Sequence, residues 1–326
     1  MFSKTKLKFD DIFENRLSED KVREYLIELY ERGETAKEIA SAASAMRDHM
    51  IPLYLEPKMV DRIVDNCGTG GDKSNSFNIS TTVSILLAAC GCFVAKHGNR
   101  SITSNSGSAD MLEALGINLD IPLEKQAEML EKTGFIFMFA INHHPAMKHI
   151  MPIRKSIPHR TIFNILGPLS NPAGAKKQLI GVFDKTYVPI MAEALTKLHT
   201  KRAMVVSSAD GMDEISISDI TYAAFVERGN VREFIFDPRE YGFDFYPKEE
   251  ILGGDAKENA QITKDILSGE LRGAKRDIVI INTAAALLVE GWVNSTQEGI
   301  ELAIDTINSG KAIEKLEQII KVSNEF

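Results

Sequence analysis

The sequence predicts an α/β protein, with a small all-helical domain followed by a larger α/β domain built on a central mixed, mostly parallel sheet. Three observations predict it. Amphipathic helical periodicity fills the first fifty or so residues, short apolar runs alternate with helices from about Val60, and one hairpin signal interrupts that alternation. Of 326 residues, 44% are apolar and 26% charged, enough apolar material for a large core and too much for disorder. At this length two domains are expected.

In order along the chain, Ser18 stands ahead of a helix with Val22, Tyr25, Leu26, Leu29 and Tyr30 on one face, stopping at Gly33. Thr35 and Glu38 form a capping-box signature before Ile39, Ala42, Ala43, Met46 and Met50. Pro52 and Pro57 mark the link out of this helical part, residues 1–59. Val60–Val64 is expected as a strand leading into Gly68-Thr69-Gly70-Gly71-Asp72, and Thr81–Ala89 as a helix. Phe93–Ala95 reads as a buried strand that runs into a polar loop from Lys96 to Ser108. Asp110–Leu115 is helical up to Gly116, and Phe135–Ala140 and Ala203–Ser207 are further strands. Within Tyr222–Phe236, two strand-like runs flank Arg228-Gly229-Asn230, which predicts a hairpin and makes the sheet mixed. From Ala284 onward the pattern is helical again.

Charge and composition exclude several classes of function. A net charge of −8 argues against nucleic acid as a partner, because such binding needs a positive footprint to exchange for phosphate counterions. No run of about 18 apolar residues appears, so no membrane span is expected, and the start lacks the apolar stretch of a signal peptide. Three cysteines cannot form a fully paired framework. A cytoplasmic location is the expectation.

Chemistry concentrates in three places. Gly68–Asp72 sits where a strand hands over to a helix, and glycines there let backbone N–H groups approach an anion. Asn78-Ile79-Ser80-Thr81 then places donors at a helix start, which favours negative charge. The spacing matches neither the Walker pattern nor the dinucleotide fingerprint. The second cluster, Lys96-His97-Gly98-Asn99-Arg100, follows a buried strand at the kind of sheet edge where α/β folds bind ligands. Its continuation through Ser101, Thr103, Ser104, Ser106, Gly107 and Ser108 resembles a phosphate cradle. Third, Asp213-Glu214 follows a strand and a turn; on a loop such a pair can flank Mg2+, which takes one or two carboxylates plus substrate phosphate. Read alone, each of these has a bland alternative as a turn, a solvated loop or an exposed acidic pair. The histidines 97, 143, 144 and 149 and the cysteines show no zinc-type spacing, and Cys67 reads as a small buried residue.

Together these segments resemble the anthranilate phosphoribosyltransferase family. The matching stretches are Gly68–Asp72, Phe77–Thr81, Lys96–Arg100, Ser106–Gly116, Arg160–Pro172 and Asp213-Glu214, and the likeness runs from Gly33-Glu34-Thr35 nearly to the C-terminus. It implies a fold of the nucleoside phosphorylase/phosphoribosyltransferase type. A segment near 165–186 would return to the helical domain, leaving 60–164 and 187–326 as the α/β catalytic domain. The implied activity is transfer of the phosphoribosyl group of phosphoribosyl diphosphate to the amine of anthranilate, with release of diphosphate, in tryptophan biosynthesis. By the same resemblance the sugar donor is bound by Gly68, Gly71, Asp72, Ser76, Asn78, Ile79, Ser80, Thr81, Lys96, His97, Gly98, Asn99, Arg100, Ser101, Ile102, Thr103, Ser104 and Ser108. Anthranilate would be held by Gly68, Asn99 and Arg154, and Mg2+ by Ser80, Asp213 and Glu214. Asp213, Glu214, Lys96 and Asn99 are the implied catalytic residues. Both substrates are small molecules. The likeness also implies a homodimer, and it leaves association with anthranilate synthase subunits open.

Some positions depart from the family pattern. Lys73 and Ser76 replace a common Gly and Thr, Asn105 stands where many members carry Lys, Ile141 where many carry Pro, and Pro158 where many carry Gly. A pyrimidine nucleoside phosphorylase shares the expected layout but would not need the Asp-Glu pair. A nucleic-acid-binding relative would need a basic groove, against which the acidic balance and that same pair both speak.

Overall fold

The computed structural model describes residues 3–100 and 106–326. Three helices open the chain, Ser3–Phe13, Glu19–Arg32 and Ala36–Asp48. The Thr35–Glu38 capping box is formed reciprocally at the third. Val22, Tyr25, Leu26 and Leu29 are buried as the periodicity requires. Tyr30, expected on that face, is exposed; its ring stacks on His159 at 3.8 Å. One hydrophobic cluster joins Phe9, Ile12, Leu26, Leu29 and Ile39 to Ile150, Ile153, Phe163, Ile165 and Leu166, and continues to Ile180 and Val205 of the sheet and to Val182 just beyond a strand end. The opposite face of the sheet carries a second cluster, centred on the helices Ile79–Ala89 and Ala274–Glu290.

Seven strands form one sheet: β1 (Ile63–Gly68), β2 (Phe93–Gly98), β3 (Phe135–Phe139), β4 (Lys177–Gly181), β5 (Arg202–Ser208), β6 (Thr221–Glu227) and β7 (Asn230–Phe236), in the order β3-β2-β1-β4-β5-β6-β7. The pairings among β1–β5 are all parallel, and β6 and β7 add antiparallel at one edge. The sheet is therefore mixed and mostly parallel, as expected. The hairpin also forms where predicted: Arg228 and Gly229 take φ 50° and 79°, the pair of positive values that matches strand twist in a two-residue turn.

Several boundaries differ from expectation. The first strand begins at Ile63 because Pro57–Val60, with Pro57 at the first helical position, winds one helical turn instead. β2 continues through Lys96 and His97, so these two residues lie in a strand and not in the loop. β4 is an addition to the expected strands. The C-terminal helical part begins with the helix Ala256–Leu267, well before the expected Ala284, and continues in Ala274–Glu290 through a charged first turn. Among the described residues no helix is long and apolar enough to cross a membrane.

Strand order reverses between β1 and β4, since the chain moves outward through β2 and β3 on one side and through β5 on the other. Such a switch point opens a crevice at the strand C-terminal ends. Here those ends are three glycines: Gly68 on β1, Gly98 on β2 and Gly181 on β4.

Candidate active site

Gly68 and Gly181 are directly paired across β1 and β4, and the loop after β5 lays Asp213 over both. A methyl group on Gly181 would stand 1.5 Å from the Asp213 carbonyl oxygen, and one on Gly68 would overlap the Asp213 carboxylate. Only residues without a Cβ at these two places let the acidic residue settle at the switch point. There the Asp213 carboxylate accepts the Gly70 N–H at 2.7 Å, while its own N–H donates to Asp72 at 3.4 Å. Gly70 and Gly71 turn the loop with φ 68° and 74°. Lys73 also adopts a left-handed φ of 62°, a conformation glycine takes without strain, which accounts for the glycine common at that place in the family.

Glu214 is reached from two sides. The Lys96 charge and, more weakly, the Ser80 backbone in the first turn of the helix Ile79–Ala89 both act to favour its ionised form. The Lys96 side chain is fully buried, and its ammonium donates to the Asn66 carbonyl (2.8 Å) and to Ser80 Oγ (3.2 Å). Asn66 completes the cluster, donating to the Ser80 carbonyl at 2.7 Å and accepting from Ser84 Oγ at 2.6 Å. Behind Lys96, the buried Asp65 is held by Asn171 at 2.8 Å, and burial raises its carboxyl above the usual range. Asp213 is pushed up to about 7, first by burial and then by the Asp72 charge. Glu214 is raised as well, by burial and then by Asp213.

Asp65 and Glu214 thus share one ammonium, with Asp213 beside Glu214. A divalent cation fits this donor set of hard oxygens, and Mg2+ draws the rest of its shell from water and phosphate. Among the described residues no three His, Cys, Asp or Glu side chains form a metal-binding group by themselves, so carboxylates alone would not complete a shell.

The remaining expected residues divide into three sets. Asn78 caps the helix start and exchanges two hydrogen bonds with Ser106, Nδ2 to the carbonyl (3.2 Å) and Ser106 Oγ to Oδ1 (3.1 Å). Ser76 contacts Ser74 (3.1 Å), and Ser108 begins the next helix beside Gly98. Ile79 and Thr81 are buried, with the Thr81 hydroxyl unpartnered among the described residues. His97 is turned inward, its Nδ1 3.2 Å from the Gly167 carbonyl oxygen, and burial followed by the neighbouring His144 lowers its pKa to about 3. It is a neutral ring and adds no cation to the loop. Arg100 is exposed and engaged by Asp110 (3.0 Å) and Glu113 (2.5 Å), while Asn99 is exposed beside it with Oδ1 accepting the Arg100 N–H at 2.8 Å. Ser101, Ile102, Thr103 and Ser104, with Asn105, lie outside the described residues.

Arg154 stands apart from the acidic cluster, beside Met151 and over the Phe163 ring at 5.6 Å. Burial lowers its pKa, and among the described residues it has no carboxylate partner, which leaves it suited to an anionic ligand. Sequence reasoning missed Arg160. Its guanidinium lies over the Phe183 ring at 3.6 Å and donates to the Gly71 carbonyl, bracing the glycine loop. Gly181 and Asn66 were missed too, and no local signal marks either one.

A family model described as "Glycosyl transferase family, a/b domain" matches residues 60–313, which places the sheet and its switch-point site in that class of protein. The chain is 44% identical over 314 residues to the anthranilate phosphoribosyltransferase of Rubrobacter xylanophilus, covering 96% of this chain and 91% of that one. The crystal structure of anthranilate phosphoribosyltransferase from Thermus thermophilus superposes with a TM-score of 0.93 at 37% identity, over 99% of this chain and 96% of that chain. The Saccharomyces cerevisiae enzyme in complex with PRPP and Mg gives 0.84 at 30% identity, over 94% and 86%. The chain belongs to the anthranilate phosphoribosyltransferase family.

Proposed function

We propose that the protein transfers the phosphoribosyl group of 5-phospho-α-D-ribose 1-diphosphate to the amine of anthranilate, giving N-(5-phosphoribosyl)anthranilate and diphosphate, a step of tryptophan biosynthesis. The observation that carries this reading is the convergence at the switch point of the glycine loop, the helix start at Ser80, Lys96 and the Asp213-Glu214 pair. A relative solved with PRPP and Mg supports it.

In the reaction the C1–O bond of the ribose breaks, its electron pair leaves with diphosphate, and the aromatic nitrogen lone pair forms the C1–N bond. An aromatic amine is neutral at pH 7, so no strong general base is required. The proton that the new bond makes acidic passes to water or to the departing diphosphate. Gly70 spends its N–H on the Asp213 carboxylate, Gly71 offers its backbone N–H to the donor's anionic end, and the helix Ile79–Ala89 adds its N-terminal dipole. Lys96 holds Ser80 and the strand ends in register. Mg2+, bound when present by Asp213, Glu214 and Ser80, supplies charge stabilisation to the leaving diphosphate. Arg154 pairs with the anthranilate carboxylate, and Asn99 with Gly68 orients the ring toward C1, which supplies the entropic part of the rate.

The reading extends to organisation. The helical part, 1–59, forms one domain beside the sheet domain. Of the returning segment expected near 165–186, β4 (Lys177–Gly181) pairs with β1 and β5 and so belongs with the sheet. The protein works as a homodimer, and its place is the cytoplasm. Anthranilate fluorescence tests the reaction directly: the signal should fall only when phosphoribosyl diphosphate and Mg2+ are both supplied. Release of free base from thymidine or uridine with phosphate would instead favour a nucleoside phosphorylase.

A further inference from the structure

The glycine loop is laced to a segment that lies far beyond it in sequence. The Phe77 N–H donates to the Ile251 carbonyl (3.2 Å) and the Gly253 N–H to the Asn75 carbonyl (2.9 Å), with Ser76 bridged to Leu252 between them. The approach is so close that a methyl group on Gly253 would stand 2.5 Å from Phe77 Cα and 2.7 Å from Asn259 Oδ1. Asp255 then caps the helix Ala256–Leu267 with a reciprocal capping box, and one turn in, this helix delivers Asn259, 2% exposed, to the back of the site.

The two ends of the Asn259 amide are fixed by their partners. Oδ1 accepts the Gly254 N–H at 2.8 Å, and Nδ2 donates to Asn78 Oδ1 at 2.9 Å. Reversed, the amide would set one donor against the Gly254 N–H, a buried conflict that costs a full desolvation penalty. Asn78 is therefore oriented from behind. With its oxygen occupied by Asn259 and by Ser106 Oγ, it must turn Nδ2 toward the Ser106 carbonyl. The second N–H of that amide is what remains for a ligand.

We infer that Asn259 is a positioning residue for the sugar-diphosphate site: by fixing the Asn78 amide it sets the donor direction at the helix start and the spacing between the two phosphate-facing loops. This rests on the reading of the site given above. Asn259 does not touch the donor and is not a catalytic residue. The same helix is independently tied down by the Thr263–Thr82 hydroxyl contact at 2.7 Å, so a change at Asn259 leaves the helix docked.

Asn259→Asp isolates the role. It keeps the shape and the oxygen facing Gly254, and replaces the donor toward Asn78 by a carboxyl oxygen, which adds charge when ionised; Asn259→Ser separates that charge from the lost donor. Asn78 must then face a carboxylate with its own oxygen, or flip and press that oxygen against the Ser106 carbonyl. The expected result is a rise of about tenfold in both KM and Kd for phosphoribosyl diphosphate, the cost of one buried hydrogen bond, with the anthranilate KM unchanged within about twofold. Asn78→Ala alone should give a similar loss, and combining the two should add little. Asn259→Ser, which loses the reach to Asn78 without adding charge, gives the same measurement if the Asp variant does not fold. A wild-type KM for the sugar donor, equal losses for both substrates, or fully additive penalties would overturn the inference. A wild-type protein that binds no phosphoribosyl diphosphate with Mg2+ would overturn the reading of the site itself, whatever Asn259 does.

Discussion

Adding one methyl group at Gly181 tests whether the switch-point cradle exists to seat the acidic pair. The Cβ would stand 1.5 Å from the Asp213 carbonyl oxygen and 2.4 Å from the carbonyl carbon. Ordinary contact needs about 3.4 Å, so the loop that carries Asp213 must withdraw by about 2 Å or the strand end must part. A misplacement of about 1 Å in positioning groups costs about 100-fold in rate, so Gly181→Ala should lower kcat by at least that factor. Relief of the overlap by backbone movement adds about 1–3 kcal/mol of destabilisation. Gly68→Ala meets chiefly the flexible carboxylate of Asp213, so it should cost less stability while still breaking the Gly70–Asp213 hydrogen bond. Gly167→Ala is the control, because a methyl group there meets nothing within 4 Å. The assays are anthranilate fluorescence for kcat and thermal melting for stability. Gly181→Ala retaining kcat within about threefold, with an unchanged Tm, would refute the steric argument.

Three further outcomes follow from the same geometry. Combining Asp213→Ala and Glu214→Ala should lower kcat far more than it weakens anthranilate binding, and equal losses in both would remove the metal assignment. Arg154→Ala should raise the anthranilate KM by about 10–100-fold, the loss of a charge-assisted contact, with kcat little changed; an unaltered KM would count against the carboxylate role. Acid stability should depend on the buried histidines. His97 and His144 are held neutral, their pKa values lowered to about 3 and about 4, each first by burial. In the unfolded chain they protonate near the usual 6.5, so their contribution is complete above that pH and is lost as pH falls toward the folded values. Between pH 7 and pH 5 the loss is about 2 kcal/mol per ring, visible as a falling midpoint in urea melts. His144→Gln should flatten that slope, and a stability that stays flat over this range would show that the rings are protonated in the fold.

Much of this architecture was legible because it rests on local chemistry. The Thr35–Glu38 cap, the Arg228-Gly229 turn and the glycine loop each announce themselves within a few residues, through side-chain reach or positive φ. What escaped depends on partners distant in sequence. β4 carries only Leu179 and Ile180 between Lys177, Gln178 and Gly181, too short a run to show a period. It is a strand because β1 and β5 flank it and because Gln178 finds the Pro168 carbonyl at 2.6 Å. Lys96 reads as loop because the apolar run stops at Ala95. It lies in the strand because the Asn66 carbonyl and Ser80 Oγ receive its ammonium and Asp65 and Glu214 offset its charge. The Asp213-Glu214 pair was visible as residues, but the reason it is held in place is the register that sets Gly68 against Gly181.

The electrostatic strain at the site explains its shape. Asp72, Asp213 and Glu214 approach one another, with Lys96 as a counter-charge to Glu214 and Asp65, and the carboxyl groups of Asp213 and Glu214 are raised first by burial and then by a neighbouring carboxylate. Lys73 and Asn75 add left-handed backbone at φ 62° and 54°, of order 1–3 kcal/mol each. A fold selected for stability alone would neutralise such a cluster or move it to solvent. Instead the acidic cluster is kept at the strand ends, and the surrounding groups are over-determined: Asn171 on Asp65, Asn66 on Ser80, Arg160 on Gly71 and Asn259 on Asn78. Rigid neutral amides and one guanidinium hold the geometry, so the crowding at the centre is relieved by proton uptake, which the raised carboxyl groups of Asp213 and Glu214 favour, and a bound cation would compete with those protons.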